Sequence, residues 1–196
     1  MPKRPDGLLR AFLKSATQLN EDLTRVEKEH AVSLGHLPTG RARWLSEFGQ
    51  FETEVRKNAA RMSELYEVFF CLENSIRDLV STALFEAEGA NWWNSVRVDE
   101  QRIKKPCADR RDKEVGSGVT PRSDRLIDYT TFGELSQLIT DNWDIFDPVF
   151  SSKTAVSNIT NMLNVLRGPI AHCVATDELE QERLSLAVRS WFKLQA

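Results

Sequence analysis

Between residues 158 and 172 the sequence places Asn158, Asn161, Asn164 and Arg167 at successive steps of three, followed by Gly168-Pro169 and then His172. On a helix these asparagines form a gently winding polar stripe that ends at Arg167. An arginine beside a histidine, with no metal-ligand cluster and no acidic nucleophile, suits one reaction in particular: cleavage of RNA by its own 2′-hydroxyl. The imidazole can move a proton near neutral pH. The guanidinium can hold the non-bridging phosphate oxygens as negative charge builds in the transition state. One histidine cannot serve at once as base to the 2′-hydroxyl and acid to the leaving 5′-oxygen. A symmetric dimer pooling two copies of Arg167 and His172 is the economical arrangement, with Asn161 and Asn164 orienting the pair or touching the scissile phosphate.

The spacing sets a condition on this chemistry. Five residues apart on an unbroken helix, Arg167 and His172 would lie about 140° apart and could not share one site. Gly168-Pro169 predicts a helix end and a kink, because proline removes an interior hydrogen bond and clashes with the preceding turn. Taken alone, the pair also has a purely structural reading, a helix-capping arginine and a surface histidine. His172-Cys173 offers no thiol nucleophile, since adjacent side chains diverge and no third orienting group is evident.

Composition narrows the classes. The 196 residues carry 26 Lys plus Arg against 29 Asp plus Glu, a formal charge of -3, so any nucleic-acid binding must come from a local patch rather than from overall charge. No stretch approaches the roughly 18 apolar residues of a membrane span, and residues 1–7 have no apolar core like that of a signal peptide. A soluble, cytoplasmic protein is expected. Cys71, Cys107 and Cys173 form no Cys-x-x-Cys pair and read as free thiols in a reducing compartment. His30, His36 and His172 sit at no metal spacing. No cofactor and no metal are expected.

The elements that must position the pair are all helical. Leu8, Leu9, Phe12, Leu13, Ala16, Leu19, Leu23 and Val26 mark one face of an amphipathic helix over 8–31. A second periodic pattern begins at Trp44 and runs through Phe48, Phe51, Val55, Ala59, Met62, Tyr66, Phe69, Ile76, Val80 and Ala83. Unbroken over 41–87 it would be about 70 Å long, so a break near Gly49 or Asn58, or a projecting helix that recruits a partner, is expected. Residues 94–128 have no aromatic side chain, and nine basic and six acidic residues fall between Arg97 and Arg125, punctuated by Pro106, Gly116, Gly118 and Pro121. This predicts a long charged loop, whose Lys104, Lys105, Arg122 and Arg125 could hold RNA phosphates. Trp92-Trp93 could stack bases or plug a helix end.

Thr131-x-x-Glu134 and Asp177-x-x-Glu180 have capping-box spacing, and Ser152 is a further N-cap. They predict helices from 131 to Pro148, from Ser152 to Gly168-Pro169, and from Asp177 through Leu184, Val188, Trp191 and Phe192. No alternating strand pattern of useful length appears. The fold class is an all-α bundle of four or five helices with an N-terminal helical extension, divided as 1–61 and 62–196.

The segment Asn164-x-x-Arg167-Gly168-Pro169-Ile170-Ala171-His172, on the penultimate helix, resembles the Arg-x4-His signature of the HEPN superfamily. The likeness is strongest to the HEPN domain at the C-terminus of eukaryotic nuclear RNA quality-control endoribonucleases (Swt1-type) and its bacterial relatives. It extends over roughly 62–194, through Leu72-Glu73 with Arg77, Asn91-Trp92-Trp93, Asp124 to Tyr129, Phe132-Gly133-Glu134-Leu135 and Arg189-x-Trp191-Phe192. It implies a metal-independent endoribonuclease active as a homodimer, leaving a 2′,3′-cyclic phosphate. In bacteria such domains resemble toxins or antiphage effectors, so an antitoxin or sensor protein is an expected partner. Glu73 either lines the cleft or forms a surface ion pair with Arg77. HEPN nucleases commonly carry a polar residue directly after the arginine, and here Gly168 stands there. The alternative is therefore a non-catalytic HEPN module, a dimeric scaffold that binds RNA or a partner.

Overall fold

In a computed structural model of the chain, residues 45–195 are described, together with residues 15, 18–19, 21–27 and 29–30. The chain divides into two compact units, Met1–Ser63 and Glu64–Ala196. In the first, the described residues between 15 and 30 are helical. The start of the predicted 8–31 helix, the turn at 36–40, and Trp44 lie outside the described residues. A 3-10 turn at Ser46–Gln50 stops at an extended Phe51 (φ −71°, ψ 146°). The 41–87 pattern thus breaks two residues past Gly49, and a single helix, α1, runs over Thr53–Glu88. It ends at Gly89, whose φ of +77° is the left-handed conformation a helix-terminating glycine adopts without strain.

In the second unit α1 contributes Phe69, Leu72, Ile76, Val80 and Leu84 to the core, all buried at steps of three and four. Each such side chain contributes about 1.5–3 kcal/mol by leaving water. Helices α2 (Lys105–Gly116), α3 (Phe132–Asp141), α4 (Trp143–Phe146), α5 (Lys153–Ala171) and α6 (Glu178–Leu194) complete the bundle. Phe132, Leu135, Leu138 and Ile139 of α3 and Val156, Leu163 and Leu166 of α5 are buried in the same cluster. Phe69 meets Phe132 edge to face at 6.0 Å between ring centroids, joining α1 to α3. Trp191 of α6 lies 5.0 Å from Phe150. Among the described residues the only extended pairing is an isolated bridge between Phe150 and Gln195. No helix among them is long and apolar enough to cross a membrane.

The predicted caps are present. Thr131 Oγ1 accepts from Glu134 N–H at 3.3 Å while Glu134 Oε2 accepts from Thr131 N–H at 2.7 Å. Asp177 accepts from Glu180 N–H at 3.0 Å, and Ser152 from Ala155 N–H at 3.3 Å. The stretch up to Pro148 is two helices, because the buried Asn142 interrupts it and turns its side-chain amide to the carbonyls of Leu138 and Arg97, at 2.8 and 3.0 Å.

The long charged loop is a correction. Asp99 caps a π-helical turn, Glu100–Lys104, by accepting from the backbone of Gln101 and Arg102, and α2 follows directly. Pro106 sits in the first turn of α2, directly after the π-helical turn. Ile103 and Cys107, four apart and fully buried, anchor the segment. Much of its charge lies on a helix, and about 95–99 and 117–125 remain irregular. Trp92 and Trp93 meet edge to face at 5.4 Å, with Trp92 buried and Trp93 packed on the core, so they plug the end of α1.

Candidate active site

Tyr66, Phe70, Glu73 and Arg77 recur along α1 at steps of four, three and four, one stripe on one face of the helix. They line a cleft of about 700 Å³ whose other walls come from Arg122, Ser123 and Asp128 and from the end of α5, with Arg167, Ile170, Ala171 and Cys173. Two helices distant in sequence therefore bring Glu73 and Arg167 into one concavity.

Glu73 is 8% exposed and joins two arginines. Its Oε1 accepts from Arg77 Nη2, and its Oε2 lies 3.3 Å from Arg167 Nε. Arg77 is itself nearly buried and also donates to Thr130 C=O at 3.0 Å and to Asn74 Oδ1 at 3.5 Å. Its Nε is buried with no partner, a cost of roughly 1–3 kcal/mol that the other bonds must offset. Arg167 is held through Nε alone among the described residues, and its side chain is 43% exposed to the cleft and solvent. A buried carboxylate that grips an arginine from behind leaves the guanidinium's terminal N–H groups for an anion, and a planar fork of this kind matches phosphate oxygens.

The predicted break at Gly168-Pro169 is a second correction, since α5 continues through Pro169 to Ala171 with His172 as its C-cap. The helix ends in a Schellman closure. Val174 N–H donates to Pro169 C=O at 2.8 Å and Cys173 N–H to Ile170 C=O at 3.3 Å. Cys173 adopts φ +56°, a left-handed conformation that costs a non-glycine residue about 1–2 kcal/mol. Pro169 forgoes the bond its N–H would make to the Val165 carbonyl, and the helix nonetheless completes its last turn, which the closing bonds at Cys173 and Val174 hold. His172 is exposed at the cap and is not among the residues lining the cleft. Of the pair, the cleft is lined by Arg167 and not by His172.

Asn161 and Asn164 are exposed on α5 outside the cleft. Of the basic residues predicted on the loop, Arg122 alone lines it. Arg122 donates to Glu114 and stacks 4.9 Å over the Tyr129 ring. Arg125 grips Asp128 with two bonds of 2.8 and 3.0 Å and reaches Asp78 at 3.0 Å. Lys104 bonds Ser95 C=O at 3.2 Å and pairs with Glu100 at 3.3 Å, while Lys105 is exposed at the start of α2. Burial works against the charge of Asp128, but hydrogen bonds from Arg125 and Ser123 outweigh it and hold the carboxyl below its ordinary range.

Outside the cleft lining, Arg110 clasps Glu134 with bonds of 2.7 and 2.8 Å and donates to Tyr129 C=O. This ties α2 to the capping box of α3. Burial pushes the Cys107 thiol beside it up to about 12, so it is not a nucleophile. Among the described residues no group of three or more His, Cys, Asp or Glu side chains could hold a metal ion.

The sequence alone pairs Arg77 with Glu73 and puts Tyr66 in the apolar stripe, but it gives Phe70 and Asp128 no role at the site. The helical register that links Tyr66 and Phe70 to Glu73 is the signal that would have found them. Compared with known proteins, residues 67–194 match the family described as Swt1-like HEPN. No curated protein and no solved structure matches the chain.

Proposed function

We propose that this chain, which belongs to the Swt1-like HEPN family, is a metal-independent endoribonuclease that works as a homodimer. The observation that carries the reading is the grip of buried Glu73 on Arg167 in an open cleft. It fixes one guanidinium where a phosphate can reach it, the arrangement that stabilises charge developing in a transition state.

In the reaction, His172 of one copy takes the proton of the 2′-hydroxyl as O2′ bonds to phosphorus. The P–O5′ bond breaks, and the departing 5′-oxygen takes a proton from the imidazolium of the other copy. The products are a 2′,3′-cyclic phosphate and a 5′-hydroxyl, with no metal and no oxidant required. Arg167 binds the non-bridging oxygens, Glu73 positions it, and Asn161 and Asn164 face the second protomer or the RNA. Pooling two copies answers the placement of Arg167, but not His172, on the cleft lining of one chain. Arg122 supplies a further phosphate contact at the cleft, and Lys104, Lys105 and Arg125 lie outside it. The biological setting that fits is a toxin or antiphage effector in the cytoplasm, with an antitoxin or sensor engaging residues 1–61.

The rival reading is a non-catalytic dimeric scaffold or RNA-binding module, and Gly168 following Arg167 favours it. Incubation with total RNA in excess EDTA, beside His172→Ala and Arg167→Ala, decides. Cleavage by the wild type alone, with cyclic phosphate ends, supports the nuclease; cleavage by either variant removes the site assignment, and no cleavage by any favours the scaffold.

A further inference from the structure

Two large aromatic side chains stand in the same cleft as the arginines and are not used by the chemistry above. Tyr66 and Phe70 are 58% and 56% exposed, while Phe69 between them is buried in the core at 4%. A helix of this bundle needs only the Phe69 face for packing, so the other two rings expose apolar surface without contributing to the core. Their centroids are 6.1 Å apart and their planes are inclined by 39°. Sandwiching a base between them would take two stacking separations of roughly 3.4 Å each, more than this gap offers. The pair is a shelf with open outer faces rather than a slot.

The surroundings indicate what the shelf receives. Arg77, Arg122 and Arg167 line the cleft together with Asn74, Ser123 and Asp128. Protein–protein interfaces are enriched in aromatic residues and arginine but depleted of Asp, Glu and Ser, which this cleft carries at Glu73, Ser123 and Asp128; aromatic faces beside cations are how proteins hold unpaired nucleotides, the ring stacking on a base and the cation on the backbone. We propose that Tyr66 and Phe70 form a stacking shelf for an unpaired base next to the phosphate held at Arg167, so that the site selects single-stranded RNA. This rests on the RNA-directed reading given above. In an A-form duplex each base is already stacked and paired, and its faces are closed to the shelf.

The test uses full-length His172→Ala, which holds RNA uncleaved, with a short single-stranded oligoribonucleotide containing 2-aminopurine and the same sequence as a duplex. Single strand is expected to bind more tightly than duplex, with quenching of the 2-aminopurine. Adding Tyr66→Leu and Phe70→Leu keeps apolar bulk and removes both π faces, and should weaken single-strand binding about tenfold or more and abolish the quenching. Dimer state and melting temperature should not change, and Phe70→Trp should retain binding. Unchanged affinity and quenching in the leucine variant, while the wild type still cleaves RNA, would overturn the shelf and leave the nuclease standing. Loss of the dimer in the leucine variant would also overturn it and assign the rings to a protein interface. If single strand and duplex both fail to bind and wild type cuts nothing, the RNA reading falls and the shelf with it.

Discussion

Glu73 Oε2 lies 3.3 Å from Arg167 Nε while the other oxygen of the same carboxylate holds Arg77, so one buried acid sets the position of an arginine 94 residues further along the chain. The two partners differ in burial, with side-chain exposures of 10% for Glu73 and 43% for Arg167, and their removal should therefore have different consequences. Glu73→Ala leaves nearly buried Arg77 without its carboxylate and should destabilise the fold by about 3 kcal/mol, within the range for breaking a buried pair. Arg167→Ala should cost under about 1 kcal/mol, as for an exposed pair, yet abolish RNA cleavage. Urea unfolding alongside a cleavage assay separates the two, and equal destabilisation would contradict this division.

Gly168 offers a direct test of the site's competence. A Cβ placed there meets no heavy atom within 4 Å, so the position accepts a methyl group without repacking. Gly168→Ala should stabilise the end of α5 by about 0.5–1 kcal/mol through helix propensity, seen as a raised melting temperature. Gly168→Asn, which supplies the polar residue common after the family's arginine, should fold normally and cleave RNA at least as fast as the wild type.

Cys173 is the one non-glycine with positive φ among the described residues. Cys173→Gly should relieve about 1 kcal/mol of strain and raise the melting temperature, and Cys173→Val, β-branched in the same conformation, should lower it. Thermal melts of the two variants on either side of the wild type would bear this out.

Thiol chemistry should follow burial. Cys71 and Cys173 are exposed and Cys107 is buried, its thiol pushed up to about 12. Native-state alkylation at neutral pH, read by mass spectrometry, should modify the first two and reach Cys107 only after denaturation.

The Asp128 carboxyl is held below its ordinary value in the folded chain, so the folded state binds its proton less readily than the unfolded state. Its contribution to stability is fully present above the unfolded value near 3.9 and is lost as pH falls through the lower folded one. Asp128→Asn should therefore melt below the wild type at neutral pH, and the gap should close on acidification below about pH 4.

The sequence revealed the helices through caps and apolar spacing, because Thr131, Ser152 and Asp177 act within one turn of themselves. Arg167 and Glu73 were legible as candidates from residue type and family pattern. Their meeting was not, since it depends on how α1 and α5 pack. The charged stretch misled for a physical reason: two buried residues, Ile103 and Cys107, suffice to anchor a helix whose remaining positions are half-buried or exposed. Pro106 was misread with it, as a loop breaker instead of a first-turn residue. Gly168-Pro169 misled in the opposite sense, because a proline removes one backbone bond without preventing the helix from completing the turn it has begun. Tyr66 shows the limit of periodicity, which finds a helix face but cannot say whether that face is covered.

The arginines around the cleft are largely committed to carboxylates of their own chain: Arg77 to Glu73, Arg122 to Glu114, Arg125 to Asp128 and Asp78. A molecule neutralised in this way, with a net charge of -3, projects little positive field beyond a Debye length and cannot draw a polyanion from a distance. Each phosphate neutralised on a single strand contributes about −0.7 to the slope of log affinity against log salt. With few uncommitted cations at the cleft, the part of that slope due to the cleft should be shallow, and selection there made at contact by its shape.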